Sequence, residues 1–209
     1  MILKKALSFV TALTMIFGMS LMTGCGDNKK GSVKIEYGAS MMVNSEGLPF
    51  PIEFDSHFLT ADEVKAVVNY YYSIEKQDEE LAKNSSYPDY LEYLADSFEF
   101  PAVKDMLQSN YDTMGNVVDS SNYSFKNIKI VKCVTEEDKD VYTYFDKIDN
   151  VINKSLEHNG KDITPKIENR KLIEADIICV SDGEEISLTE KVGSQQIYIY
   201  TIDGQPYVL

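Results

Sequence analysis

Residues 195–209, QQIYIYTIDGQPYVL, alternate along their first eight positions and then turn on Asp203-Gly204. Side chains of an extended strand point to opposite sides in turn, so Ile197, Ile199 and Thr201 share one face and Tyr198, Tyr200 and Ile202 the other. Asp-Gly is a favoured two-residue hairpin loop, and the chain is predicted to close on an antiparallel pair. Residues 169–191, NRKLIEADIICVSDGEEISLTEK, repeat the device with two β-like runs joined at Asp182-Gly183. Everything beyond Pro165 reads as β.

Upstream of these hairpins the period changes. Val141, Tyr144, Phe145, Ile148, Val151, Ile152, Ser155 and Leu156 keep helical spacing as far as Gly160, and this outweighs the brief alternation of Tyr142 and Tyr144. Before that helix, YSFKNIKIVKCVT at 123–135 alternates as a strand, with Ile128, Ile130 and Val134 predicted on one face and Phe125 apart.

Three helices are predicted further upstream. In LTADEVKAVVNYYYSIEK, residues 59–76, Thr60 and Glu63 fit a capping box, and Leu59 with Val64 fits a hydrophobic staple. Val64, Val67, Val68, Tyr71 and Ile74 then form an apolar stripe, flanked by Tyr70 and Tyr72. Pro88 opens a second helix carrying Leu91, Leu94 and Ala95. Pro101 opens a third, in which Val103, Met106, Leu107, Tyr111 and Met114 line a face and Gly115 is the expected stop.

Helices segregated from hairpins define an α+β class, with N-terminal helices packed on a curved antiparallel sheet. The predicted domain runs over 59–209. Residues 33–58, interrupted by Gly38, the turn Asn44 to Gly47, Pro49 and Pro51, read as an irregular arm with one strand. The chain shows no fixed-period repeat.

The N-terminus carries a separate message. Lys4 and Lys5 precede an apolar stretch from Ala6 to Met22, the layout of a secretory signal peptide. Its length alone would also suit an uncleaved membrane anchor. The residues that follow decide between the two: Met22, Thr23 and Gly24 before Cys25 resemble a bacterial lipobox, with Met22 where Leu is most frequent. The resemblance implies removal of residues 1–24 and lipidation of Cys25, since small residues fit the peptidase cleft and only a thiol supplies the nucleophile. Two or three acyl chains, each contributing about 0.8 kcal/mol per buried methylene, anchor a protein durably. Residues 25–32, almost all Gly, Asp, Asn, Lys and Ser, are then a flexible tether. The expected location is the outer face of the cell membrane, extracytoplasmic and lipid-anchored, an architecture familiar in Gram-positive bacteria.

Net charge is −14, and loss of the two lysines in the leader makes it −16. Such a chain is repelled by phosphate backbones and anionic head groups, which argues against a nucleic-acid partner. An apolar fraction of 44% supports a real core for one domain of this length. Cys133 and Cys179 both sit in β-like segments; a disulfide is open to an exported protein, but two buried free thiols are the favoured reading.

The element order and the closing IYIYTIDGQPYVL resemble the NTF2-like (cystatin-like) superfamily over roughly Leu59 to Leu209. That resemblance implies a cone, enclosed by a long helix and a curled sheet, whose pocket binds a ligand, hosts acid–base chemistry, or is filled while the surface makes protein contacts. Fold alone does not choose among these.

Fourteen tyrosines and many acids are present, yet none matches a catalytic position of the superfamily. The chain contains no Gly-x-Ser-x-Gly, His-Glu-x-x-His, phosphate loop or dinucleotide fingerprint. His57 and His158 flank helix ends and read as surface or capping groups. Asp78-Glu79-Glu80, Glu136-Glu137-Asp138 and Glu184-Glu185 lack the spacing of a calcium loop and read as solvated surface. No cofactor or metal is expected. The candidate ligand-binding residues are Tyr71, Tyr198 and Tyr200, with Tyr70, Tyr72 and Tyr207 nearby, because tyrosine combines apolar area with a polar tip. The expectation is a non-catalytic domain binding a small ligand or a cell-envelope protein. Its alternative is an NTF2-like enzyme using a pocket carboxylate with tyrosine donors.

Overall fold

The computed structural model describes residues 36–137 and 142–209. The expected leader 1–24, lipidation residue Cys25 and tether 25–32 lie outside the described residues. Among the described residues no helix is long and apolar enough to cross a membrane.

The predicted arm holds two strands rather than one. β1 (Met41–Asn44) pairs antiparallel with β2 (Ile52–Asp55), and the segment between them carries Gly47 at φ +68°. Ile52 and Phe54 of β2 are buried, so this hairpin belongs to the domain.

α1 (Ala61–Lys76) starts as the sequence predicts, with both reciprocal bonds of the Thr60–Glu63 capping box present and Leu59 and Val64 buried. Val64, Val67, Val68, Tyr71 and Ile74 are each at most 3% exposed. Burying such a side chain fully contributes about 1.5–3 kcal/mol, and this stripe holds the helix on the sheet.

Three more helices follow: α2 (Glu79–Ser85), α3 (Pro88–Ser97) and α4 (Val103–Val117). α2 is an addition to the predicted set. Asp78, taken from sequence as a surface acid, is its N-cap and accepts a hydrogen bond from Leu81 N at 3.0 Å. Gly115 does not end α4 but lies buried within it. A Cβ there would stand 2.6 Å from the Ser120 carbonyl oxygen, so the residue is needed for a close approach of the following loop rather than as a stop.

β3 (Ser124–Thr135) is followed by α5 (Tyr142–His158), β4 (Ile167–Ser181), β5 (Glu184–Ser187), α6 (Leu188–Val192), β6 (Gln195–Ile202) and β7 (Gln205–Val208). The sheet runs β1-β2-β3-β4-β6-β7, with β5 on one end of β4. All pairings are antiparallel except β2 with β3. Both Asp-Gly loops form the predicted hairpins. Ser181 pairs with Glu184 and Ile202 with Gln205, and each Asp and Gly takes a positive φ near 52° and 85°.

Two expectations on the strands are corrected. Register shifts at Phe125/Asn127 and Ile130/Lys132 reset the alternation of β3, so Phe125, Ile128, Ile130 and Cys133 share the buried face while Val134 packs on the opposite side. The run after Asp182-Gly183 stops being a strand at Ser187, which caps α6 by accepting a hydrogen bond from Glu190 N. Ser187-Leu-Thr-Glu190 has the residue pattern of a capping box.

The sheet is covered on both faces. α1, α3 and α4 pack with Ile128, Ile130, Ile173, Ile177, Ile197 and Ile199 on one side. On the other, Phe145, Ile148, Ile152 and Leu156 of α5 pack with Leu172, Tyr198, Tyr200 and Ile202. The helices therefore do not all lie on one face, and the two faces of β6 each enter a separate core.

Candidate functional site

The three tyrosines singled out from sequence do not meet. Tyr71 lies in the α1 layer, edge-on to Phe125 with ring centroids 5.4 Å apart. Tyr198 and Tyr200 lie beyond the sheet against Phe145, at 6.4 and 6.1 Å. Alternation along β6 puts Tyr198 on the side away from Ile197 and Ile199, which face α1, so a sheet separates Tyr71 from the other two. Burial pushes the Tyr198 phenol up to about 12 and raises Tyr71 and Tyr200 further. These are neutral core groups. Tyr70 is also part of the α1 layer, and Tyr207 packs edge-on to Tyr87 in the second.

A carboxylate does stand near a buried tyrosine, but it is committed. Arg170 donates Nε and Nη2 to Asp149 at 3.1 and 2.9 Å and Nη1 to Glu136 at 2.8 Å, with its guanidinium 6.0 Å from the Tyr200 ring centroid. Tyr200 donates its hydroxyl to the Phe145 carbonyl at 3.2 Å. This arrangement clamps α5 to β4 and β6.

The remaining titratable candidates have structural partners. His158 Nε2 lies 2.8 Å from Asp96 Oδ2 and thereby ties the end of α5 to α3. Asp55, fully buried, accepts from the amides of Gly38, Ser40 and His57 at 2.7, 3.2 and 2.9 Å. Burial opposes its charge, yet these amides outweigh it and hold the carboxyl below the usual range. Asp89 is likewise buried and accepts from Asn159 and Lys161, both at 2.8 Å.

Cys133 and Cys179 are both buried and are not joined to each other. Cys179 pairs with Phe125 and Cys133 with Ile173, so six residues of β4 separate their levels, about 20 Å at the rise of a strand and far beyond disulfide reach. Burial pushes the Cys179 thiol up to about 12, which makes it a packing group rather than a nucleophile. Among the described residues no group of three or more His, Cys, Asp or Glu is placed to hold a metal ion.

Two surface depressions are open to solvent. One, of about 410 Å³, lies along the last turns of α4 and the loop after it and is lined by Tyr111, Asp112, Asn116, Asp119 and Ser120. The other, of about 280 Å³, lies among α2, α3 and α4 around Lys83, Glu92 and Asp96, where Lys83 is already paired with Glu79 and Glu92. Neither contains Tyr71, Tyr198 or Tyr200.

The two edges of the sheet differ. Beside β7, Ser86 forms a bridge with Val208 and donates its hydroxyl to the Val208 carbonyl at 2.6 Å. β1 exposes Met41, Met42 and Val43 at 43, 45 and 62%. Three consecutive exposed apolar residues on an edge strand are unusual, since edges are commonly guarded by charge, proline or a bulge. From sequence this strand reads as part of an irregular arm, and the apolar triplet Met41-Met42-Val43 before a turn is the signal that marks it.

Comparison of the chain with protein-family models, curated proteins and solved structures found no match.

Proposed function

We propose that this chain is a lipid-anchored, extracytoplasmic protein-interaction domain that acts by contact rather than by catalysis. The observation that carries this reading is the filling of both sheet faces by the protein's own side chains while Met41, Met42 and Val43 stay exposed at an edge. A small-ligand cone would need Tyr71, Tyr198 and Tyr200 around one space, and they pack in separate cores. An enzyme of the expected type would need a pocket carboxylate, and Asp149 is held by Arg170 instead.

An NTF2-like ancestry is part of the proposal. It is supported by the long α1 lying on the sheet and by the closing Asp203-Gly204 hairpin. The layer formed by α5 on the opposite face is then an elaboration of the simple cone. The lipobox-like Met22-Thr-Gly-Cys25 supports anchoring at the outer face of the membrane, and a net charge of −14 argues against nucleic acid as the partner.

Two measurements test this reading. An alkyne fatty acid fed to cells should label the wild-type chain and not Cys25→Ala, whose precursor should stay uncleaved; normal labelling and cleavage of the variant would reject the anchor. Native mass spectrometry of the purified mature chain should show no stoichiometric small molecule, and a reproducible bound mass would favour a ligand-binding role instead.

A further inference from the structure

We propose that Asn159 is a self-modification site, kept unreacted while the end of α5 is docked on Asp89, and that its conversion to an acid releases α5 from α3. Asn159-Gly160 is the one Asn-Gly step in the chain. Glycine has no Cβ to keep its backbone nitrogen from the preceding side chain, so an asparagine before glycine cyclises more readily than one before any other residue.

The chemistry needs only water. Gly160 N loses its proton and attacks Asn159 Cγ; the new C–N bond forms, the bond from Cγ to Nδ2 breaks, and Nδ2 leaves as ammonia with that proton. Water then opens the cyclic imide at either carbonyl, giving aspartate or isoaspartate at position 159 and a proton to solvent. Either product adds one negative charge, and in isoaspartate the main chain is rerouted through the side chain.

The folded chain restrains both reacting groups. The Gly160 N–H that must be lost donates to the Glu157 carbonyl at 3.1 Å, and its neighbours Asn159 N and Lys161 N donate to Ser155 and Leu156 at 3.1 and 2.9 Å. The leaving nitrogen Nδ2 donates to Asp89 Oδ1 at 2.8 Å and to the Asp89 carbonyl at 3.3 Å. Attack requires Gly160 N and Cγ to meet, so these bonds must open first. Gly160 and residues 161–164 are exposed, so the opening displaces little of the core and is a local event at a helix end.

The product cannot dock again in the same way. A carboxylate at position 159 would set an oxygen where Nδ2 now donates, against the carboxylate of Asp89, which is 4% exposed. Lys161 Nζ, at 2.7 and 2.8 Å from the two Asp89 oxygens, would then have to serve two acids. Like charges in contact with one of them buried oppose the contact, so the reaction unfastens the end of α5 in one direction only.

Peptide mapping by mass spectrometry of the mature chain at mildly alkaline pH tests this. Asn159 should deamidate at least about tenfold faster in urea than in the folded chain, whose rate is scaled by its small opened population. Gly160→Ala should suppress the reaction in urea, because its Cβ hinders the attacking nitrogen. Asp89→Ala, shown to be folded by circular dichroism, should deamidate about tenfold faster than the folded wild type. Asn159→Asp, the product made genetically, should speed hydrogen exchange at the amides of residues 159–161. The exchanged pair Asp89→Asn/Asn159→Asp should regain protection, since an amide again faces a carboxylate.

Equal rates at Asn159 in the folded and urea-treated wild-type chain overturn the proposal, as do an unchanged rate in folded Asp89→Ala or wild-type exchange in Asn159→Asp. Should Asp89→Ala fail to fold, the wild-type comparison and Asn159→Asp decide.

Discussion

Lys171 of β4 places its Nζ 2.6 Å from Oε1 and 2.8 Å from Oε2 of Glu63 on α1. The same carboxylate accepts from Thr60 N at 2.8 Å, so one acid both closes the capping box of the helix and fastens the helix to the sheet. Only 5% of the Glu63 side chain and 14% of that of Lys171 are exposed. Removing one partner from such a pair costs more than the pair contributes, because the other charge is left buried and alone.

Glu63→Gln, which keeps a side-chain acceptor for the cap, should therefore destabilise the protein by about 3 kcal/mol, while the double variant Glu63→Gln/Lys171→Met should recover most of that loss. Urea denaturation of the two single variants and the double variant measures it. Additive losses would show that the two charges are not coupled.

Gly115→Ala should destabilise the protein despite alanine's higher helix propensity. The gain in a helix interior is about 1 kcal/mol, whereas the new Cβ meets a backbone oxygen at 2.6 Å and forces a shift in the Ser120 loop that costs about 1–3 kcal/mol. Thermal denaturation reads the sign, and a raised melting temperature would contradict the close approach.

Acid should loosen the β1 hairpin before the domain unfolds. Asp55 titrates below its ordinary 3.8 in the folded chain, so the stability it contributes is present above that value and is lost as pH falls through the lower folded value. Hydrogen exchange at the Gly38, Ser40 and His57 amides should accelerate there, relative to its expected pH dependence, and Asp55→Asn should be loosened already at neutral pH. Because each amide hydrogen bond to a charged acceptor contributes about 1 kcal/mol more than one to a neutral acceptor, the variant should lose about 3 kcal/mol over the three amides.

Alkali should act through the cores. Burial pushes Tyr70, Tyr87 and Tyr198 up to about 12 from an ordinary 10.0. The unfolded chain ionises first, so the stability these phenols contribute is whole below 10.0 and is lost as pH rises from there through the folded values. Phenolate absorbance followed against pH should show a late, cooperative step that coincides with loss of circular dichroism. Smooth titration near 10 of all fourteen tyrosines would mean that the tyrosine-rich cores are open to water.

Ser86→Ala should fray the β7 edge. It removes a buried hydroxyl donor to the Val208 carbonyl, at a cost of about 1 kcal/mol. Faster exchange in β7 without change in β3 would locate the effect, and uniform acceleration would mean that the contact stabilises the whole domain instead.

Local rules carried much of the fold. The Thr60–Glu63 box, the stripe Val64 to Ile74, the helix ending near Gly160 and both Asp-Gly hairpins depend on neighbours within a few residues, so sequence alone specified them. The net charge and the Met22-to-Cys25 motif are likewise properties of the chain itself. Which layer each side chain entered was decided by tertiary structure. Two register shifts reset the face of β3, Ser187 turned a strand into a helix start, and α5 took the opposite side of the sheet. The alternation of Tyr198 and Tyr200 with Ile197 and Ile199 separated the two faces correctly, but it carries no information on what covers each face. That depends on contacts between residues far apart in the chain, as Lys171 with Glu63 shows, and those contacts moved Tyr71 away from Tyr198 and Tyr200 and placed Met41, Met42 and Val43 on what is, among the described residues, the edge strand of the sheet.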